Sequence, residues 1–293
     1  MEIIKIKGKA LEKLINVTSN AIGTLYEPRK IRKNADAQAY RIEVIAEAER
    51  TKILIEDDTK FEVLERAKKR IFLQKINKQI NIEEVVSKAI PHLKDNDTEE
   101  VVDKDWSTKF FQKAQDITSS NVQEKWARIL ANEISSPGTT SIRTMEVLSV
   151  LSKSEAEKFE ILCSLVSSDN LIWKTKKQNA FDEYNIKYSD LLLLRDAGLL
   201  YSSDTLVSII PIIPDIKIGM MWIGNDEYTI TNKKSHENSF KFNQIALSVA
   251  GKELCKILNI EKNEKYIKEL INEKTQHGFT LVKVIKVVSN KGI

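Results

Sequence analysis

Two cysteines and three histidines in 293 residues leave little from which to build a metal centre. His92, His236 and His277 lie far apart with no partner at ligand spacing, and two thiols cannot complete a zinc set. Cys163 and Cys255 each fall on a helical apolar pattern, so both read as reduced core thiols of a cytoplasmic protein. The opening MEIIKIKGK has neither the apolar stretch nor the small-residue site of a secretory signal. No uncharged run reaches the ~18 residues of a membrane span. The most apolar stretch, Leu206 to Ile223, is broken by Pro211, Pro214, Asp215 and Lys217. Phosphate loops are missing too: Gly251-Lys252 lacks the upstream glycine and the following Ser or Thr. There is no nucleophile elbow and no kinase set. Asp57 with Asp58, and Glu99 with Glu100, sit in polar charge runs, whereas a metal-dependent nuclease gathers its carboxylates on a sheet edge. No catalytic residue, metal ligand or cofactor is assigned, and a non-enzymatic protein is expected. With 42% apolar and 30% charged residues the chain is globular rather than disordered. A net charge of +4 permits an anionic partner without requiring one.

What the chain does have is a run of helical stripes from Trp106 to Val166. Trp106, Phe110, Ala114 and Ile117 recur at helical spacing, with Phe111 beside them. Val122, Trp126, Ile129, Leu130 and Ile134 make a second stripe. Ile142, Met145, Leu148 and Leu151 make a third, and Ala156, Phe159, Leu162, Cys163 and Val166 a fourth. Ser119-Ser120-Asn121 offers caps for the second helix, and Ser135-Ser136-Pro137-Gly138 ends it in a turn. Ser152 with Glu155 forms a capping-box pattern before the fourth. Four short amphipathic helices with short loops predict a compact bundle.

The same run carries a resemblance. Gln123, Trp126-Ala127-Arg128-Ile129-Leu130, Glu133, Pro137-Gly138 and Ser141-Ile142-Arg143-Thr144 resemble the core of a bacterial family known as domain of unknown function 2806. Ile22 to Tyr40 and Ile245 to Leu254 fit the same family, which would then cover most of the chain. It implies no reaction. The Trp126 to Leu130 helix is also similar to abortive-infection proteins, which implies a setting in antiphage defence. On the residues themselves, Trp126 is a core anchor. Arg128 or Arg143 paired with Glu133 would stitch the bundle together.

Ahead of the bundle, Ala10 to Ala21 reads as a short helix, closed by Gly23 and Pro28. From Arg29 to Ile80 there is neither Gly nor Pro, and helix formers dominate. Glu56–Lys60, Glu62–Arg66 and Glu65–Lys69 are acid-before-base pairs at i, i+4. Phe61, Leu64, Ala67 and Ile71 continue a narrow apolar seam begun at Ala35. A helix of ~50 residues would span ~75 Å, and a seam that long must pair with something. Either a second copy covers it, or the helix bends at Asp57-Asp58-Thr59 and folds back. Asn81 to Ile90 reads as a separate short helix stopped by Pro91, and His92 to Glu100 as a linker. Arg29, Lys30, Arg32, Lys33 and Arg41 crowd a helix start, against the macrodipole. They are candidates for phosphate contact, or else a solvated charge run.

Beyond Ser168 the pattern shifts. Leu171 to Lys174 reads as a strand and Tyr188 to Ala197 as a helix closed by Gly198. Strands are expected at Thr205–Ile213, Met220–Ile223 and Tyr228–Thr231. A final helix is expected to end at Leu258, and a terminal strand lies in Phe279–Val288. This order resembles winged-helix modules. Its recognition slot, Ser189 to Asp196, holds four leucines and two aspartates, unlike a helix that reads a major groove. Lys174, Lys176 and Lys177 are the better phosphate candidates.

The expected architecture is mainly α. A helical arm occupies residues 1–95, a four-helix core bundle 96–168 and a winged-helix-like α+β domain 169–293. The function expected is that of an oligomerising interaction or regulatory protein, self-associating through residues 29–80 and with no membrane span. A nucleic-acid binder using the basic clusters, and a defence nuclease without a recognisable motif, are the alternatives.

Overall fold

The computed structural model describes residues 8–23, 58–94, 100–177, 179–203, 206–232 and 238–285. The fold divides into two compact units, Met1–Ile142 and Arg143–Ile293. Nine α-helices outnumber two three-stranded antiparallel sheets among these residues, so the chain is mainly α with a mixed second half.

In the first unit α1 (Gly8–Ile22) packs on α3 (Lys104–Ala114) and α4 (Ser120–Ser135). Helix α2 (Asp58–Ala89) lies along α4. The core follows from the predicted stripes: Phe110, Ala114, Trp126, Ile129 and Leu130 are fully buried, joined by Leu14, Val85 and Val86. Trp106 stacks on Phe110 at 5.1 Å, and Phe110 meets Trp126 at 5.2 Å. Both spacings lie in the favourable range for aromatic pairs. The Trp106 indole N–H donates to the Thr140 carbonyl at 2.7 Å, so the large ring is buried with its polar atom satisfied.

Helix α2 runs through Ile80 and Asn81 without interruption, where the sequence suggested two helices. No Gly or Pro lies between Asp58 and Ala89, and Asn81 turns its amide outward to the Gln115 carbonyl at 2.8 Å rather than to its own backbone. Pro91 ends the run in a short 3₁₀ turn.

The second unit opens with α5 (Ile142–Val150) and α6 (Lys153–Cys163). The four helices grouped by sequence in residues 96–168 are thus shared between the units, α3 and α4 in the first, α5 and α6 in the second. The capping box at Ser152 and Glu155 is present in both directions. Then come β1 (Leu171–Trp173), a 3₁₀ turn at Asp182–Tyr184, α7 (Tyr188–Asp196), β2 (Val207–Pro211), β3 (Gly219–Ile223), β4 (Asp226–Thr231) and β5 (Ser239–Ala246). Helices α8 (Val249–Leu258) and α9 (Glu264–Gln276) precede β6 (Thr280–Lys283). One sheet has the order β1-β5-β2 and the other β3-β4-β6, all antiparallel.

Helix α7 ends as Gly198 predicted. The glycine takes φ +77°, its N–H reaches Arg195, and the Leu199 N–H reaches Leu194, which is a Schellman closure. A second close approach depends on Gly251. A Cβ there would stand 2.1 Å from the Leu199 carbonyl oxygen, so α8 sits directly against the α7 exit. Ser248 caps α8 and also donates to the Gly198 carbonyl at 2.6 Å.

Candidate interaction surfaces

The family-like residues of the first unit are mostly interior. Trp126 is fully buried on the inner face of α4. Gln123 is buried between its own neck and α2: its amide donates to the Ile117 carbonyl at 2.9 Å, and its oxygen accepts from Lys88 at 2.9 Å. Arg128 holds Glu124 at 3.2 Å, and His92 reaches the same carboxylate oxygen at 2.7 Å. Burial pushes the Glu124 carboxyl up, but the hydrogen bonds and charges of His92 and Arg128 outweigh it and hold it below the usual carboxylate range.

Glu133 does not take an arginine. Its carboxylate folds over the turn that follows α4, accepting from the Gly138 N–H at 2.6 Å, the Thr140 N–H at 3.0 Å and the Thr139 hydroxyl at 3.3 Å. Gly138 supplies the positive φ of +79° that the turn needs, one step after Pro137. The side chain is 1% exposed. Burial raises its pKa, against the pull of the three donors. Closed in this way, Glu133 fastens the turn and presents no oxygen to a ligand. Arg143, at the start of α5, is exposed.

The helix α2 changes character along its length. Ile82, Val85, Val86 and Ala89 are buried, whereas no position from 61 to 81 is. Within that reach Val63 is 55% exposed, Leu64 38%, Ile71 47%, Leu73 40% and Ile80 48%. Leu64 and Ile71 are one heptad apart, as are Leu73 and Ile80. At 3.6 residues per turn the two pairs stand roughly 180° apart around the axis. A single covering helix cannot satisfy both.

In the second unit the three lysines after β1 meet an acidic helix face. Lys177 pairs with Glu269 of α9 and, at 3.3 Å, with Glu183 of the 3₁₀ turn. Glu269 also accepts the Tyr184 hydroxyl, and Lys265 joins Glu183 at 3.3 Å. The hydrogen bond to Glu269 raises the Lys177 pKa, and the same bond with that of Tyr184 lowers the Glu269 pKa. Lys176 donates its backbone N–H to Glu273 at 3.4 Å. Lys174, half-buried, borders a cleft of about 150 Å³ lined also by Thr175, Asn179, Phe181, Asp182 and Tyr188. Small-molecule sites usually run to ~300–1,000 Å³, so this cleft is small beside them. The cluster thus has much of its charge answered internally. Arg29, Lys30, Arg32, Lys33 and Arg41 lie outside the described residues.

The recognition slot, α7, buries Leu191 and Leu194. It leaves Tyr188 55%, Leu192 42% and Leu193 50% exposed, with Ser189 and Asp196 beside them. That surface is apolar and acidic.

The acidic partners of the lysines were missed in the sequence because α9 was missed. The signals were present: Asn263 as a cap, then Tyr266, Leu270 and Lys274 four apart on one buried face. Lys274 is the misleading member. It is buried, its ammonium lies 4.5 Å from the Phe242 ring centre and 3.1 Å from Glu273, and burial lowers its pKa. Among the described residues no group of three or more His, Cys, Asp or Glu is placed to hold a metal ion. No described helix is long and apolar enough to cross a membrane.

A family model described as "Protein of unknown function (DUF2806)" matches residues 65–271, well over half of the chain. The match includes the Gln123 to Arg143 motif and Ile245 to Leu254, and begins after the Ile22 to Tyr40 segment. No curated protein and no solved structure matches the chain.

Proposed function

The chain belongs to the DUF2806 family, and we propose that it is a non-enzymatic, self-associating interaction protein. The observation that carries this reading is the reach of α2 from 61 to 81, with no buried position and with apolar residues on two nearly opposite faces. Side chains such as Leu64, Ile71, Leu73 and Ile80 are costly to leave in water. Heptad spacing fits them to another helix, and two faces call for more than one such contact. A second copy of the chain supplies it.

The second unit is read as a winged-helix-like module adapted to protein contact. The succession α6, β1, turn, α7, with β1 joined to the later strands in a sheet of order β1-β5-β2, supports it, the β3–β4 hairpin being inserted between β2 and β5. Lys158 of α6 ties the α7 start in place through Asp190 at 3.2 Å and the Asn185 carbonyl at 2.7 Å. An exposed Tyr188–Leu192–Leu193 face with Asp196 suits a protein partner better than a phosphate backbone, which rewards Lys and Arg. The antiphage setting rests on resemblance around Trp126 to Leu130. Those positions are largely core, so they speak of packing more than of task.

Light scattering on the purified full-length chain tests this reading, together with anisotropy titrations of a labelled DNA duplex at low and high salt. A defined oligomer without salt-dependent duplex binding is expected. A monomer at every concentration refutes self-association. Duplex binding that collapses with salt moves the function to the basic clusters instead.

A further inference from the structure

Opposite the buried face of α2, a second face stays open to solvent. At 3.6 residues per turn it carries three parallel rows, all within roughly 70° of the direction facing away from Ile82, Val85, Val86 and Ala89. The middle row holds Leu73 and Ile80, both exposed. One flanking row is Arg70, Asn77 and Glu84, and the other is Lys69, Ile76 and Glu83. Each flanking row climbs in heptad steps, and each passes from a cation through an uncharged residue to an acid. Lys69, Arg70 and Asn77 are exposed, whereas Ile76, Glu83 and Glu84 are half-buried. Glu84 pairs with Lys88 at 3.1 Å, and Glu83 accepts from the Gln79 amide at 3.1 Å. Each of these bonds engages one oxygen of its carboxylate. Lys88 also reaches inward to the Gln123 side-chain oxygen at 2.9 Å.

We propose that this face pairs with the same face of a second copy, antiparallel, about a two-fold axis beside Asn77. The contact presupposes the self-association proposed above and gives it a direction. Arg70 and Glu84 lie one heptad, about 10 Å, on either side of Asn77. In an antiparallel pair each flank of a helix meets the same flank of the other helix. Arg70 of one copy then stands beside Glu84 of the other, and Lys69 beside Glu83, each twice. Leu73, Ile76 and Ile80 fill the space between the two helices.

A parallel pair in register would instead set Arg70 on Arg70 and Glu84 on Glu84, and like charges disfavour it. Each flanking row is complementary to its own reverse. That property selects a second copy over a polyanion, because a phosphate backbone would meet Glu83 and Glu84 as well as the cations. The Leu64–Ile71 face takes no part in this contact and is left for another.

The test compares charge variants of the full-length chain by sedimentation equilibrium, with far-UV circular dichroism to check folding. One variant combines Lys69→Glu with Arg70→Glu, a second combines Glu83→Lys with Glu84→Lys, and a third carries all four changes. Either double variant brings like charges together and is expected to raise the dissociation constant at least about tenfold. An equimolar mixture of the two doubles is expected to assemble as tightly as the wild type. So is the quadruple variant, in which both signs are exchanged. Wild-type association is expected to weaken as salt is raised. Should the Glu83 and Glu84 changes prevent folding, the Lys69 and Arg70 variant decides alone, because both of its positions are exposed. If that variant associates within about threefold of the wild type, the antiparallel contact is overturned while self-association stands. A quadruple variant no tighter than the folded doubles overturns the contact as well. A wild-type chain that is monomeric at every concentration overturns both, and leaves the cations of this face to an acidic partner or to nucleic acid.

Discussion

Replacing Leu64 and Ile71 by glutamine separates self-association from folding. Glutamine is a good helix former, so α2 keeps its intrinsic preference. In a monomer both positions are partly in water, at 38% and 47% exposure, and such surface changes shift stability by about ±0.5 kcal/mol. At an interface the remaining area would be covered. Full burial of a leucine or isoleucine side chain is worth about 1.5–3 kcal/mol. The still-exposed two-fifths to one-half is therefore worth about 1 kcal/mol each. A two-fold dimer loses four such side chains, about 4 kcal/mol. At about 1.4 kcal/mol per factor of ten, the dissociation constant rises roughly a thousandfold. Sedimentation equilibrium across a dilution series measures this, with far-UV circular dichroism to show that helix content is unchanged. A variant that associates within about threefold of the wild type refutes the assignment of the seam. So does a loss of association accompanied by a fall in helix content, because the effect would then be one of folding.

Three further outcomes follow from single residues. Glu133→Gln keeps the shape but offers one acceptor oxygen to donors at Gly138 and Thr140, leaving one buried N–H unmatched. The expected cost is about 1–3 kcal/mol in urea denaturation at neutral pH, and a variant as stable as the wild type contradicts the turn-fastening role. Asp169 is held at a pKa of about 6 by burial, above the unfolded value of 3.8. A carboxyl raised in the fold contributes stability that is complete below 3.8 and lost as pH rises to about 6. Asp169→Asn, which keeps an acceptor for the Leu171 N–H, is thus expected to match the wild type near pH 4. At neutral pH it should exceed the wild type by about 1 kcal/mol, the shift being discounted for partial exposure. Equal stability at both pH values would contradict this. Gly251→Ala places a methyl 2.1 Å from a backbone oxygen that cannot step aside, and the thermal midpoint of the variant is expected to fall by an amount equivalent to about 1–3 kcal/mol or more. An unchanged midpoint would show that α8 can move away from Leu199.

Where local chemistry decides, the residues were enough. The helices from Lys104 to Cys163 stand where the stripes put them, the capping box at Ser152 forms, and Gly198 closes α7. The family was legible in the Gln123 to Arg143 motif. The misses have physical causes. Strand β5 was not among the expected strands, because Lys241 and Asn243 face water while Phe240 and Phe242 face inward, and so short a half-buried alternation gives a weak signal. Helix α9 was hidden by its charge, since Lys274 lies on the buried face where an apolar residue is expected.

What the sequence determined by itself is local: stripe, cap and turn. Those depend on neighbours within a few positions, and spacing records them directly. The tertiary structure decided the pairings. Only the folding of α9 against the β1 exit turns Lys177 from a free cation into a partner of Glu269. It likewise decided that α2 passes from bare to buried near Ile82, because burial depends on what other helices bring to that face. No spacing along one chain carries such information. It arises when segments far apart in sequence compete for the same apolar surface.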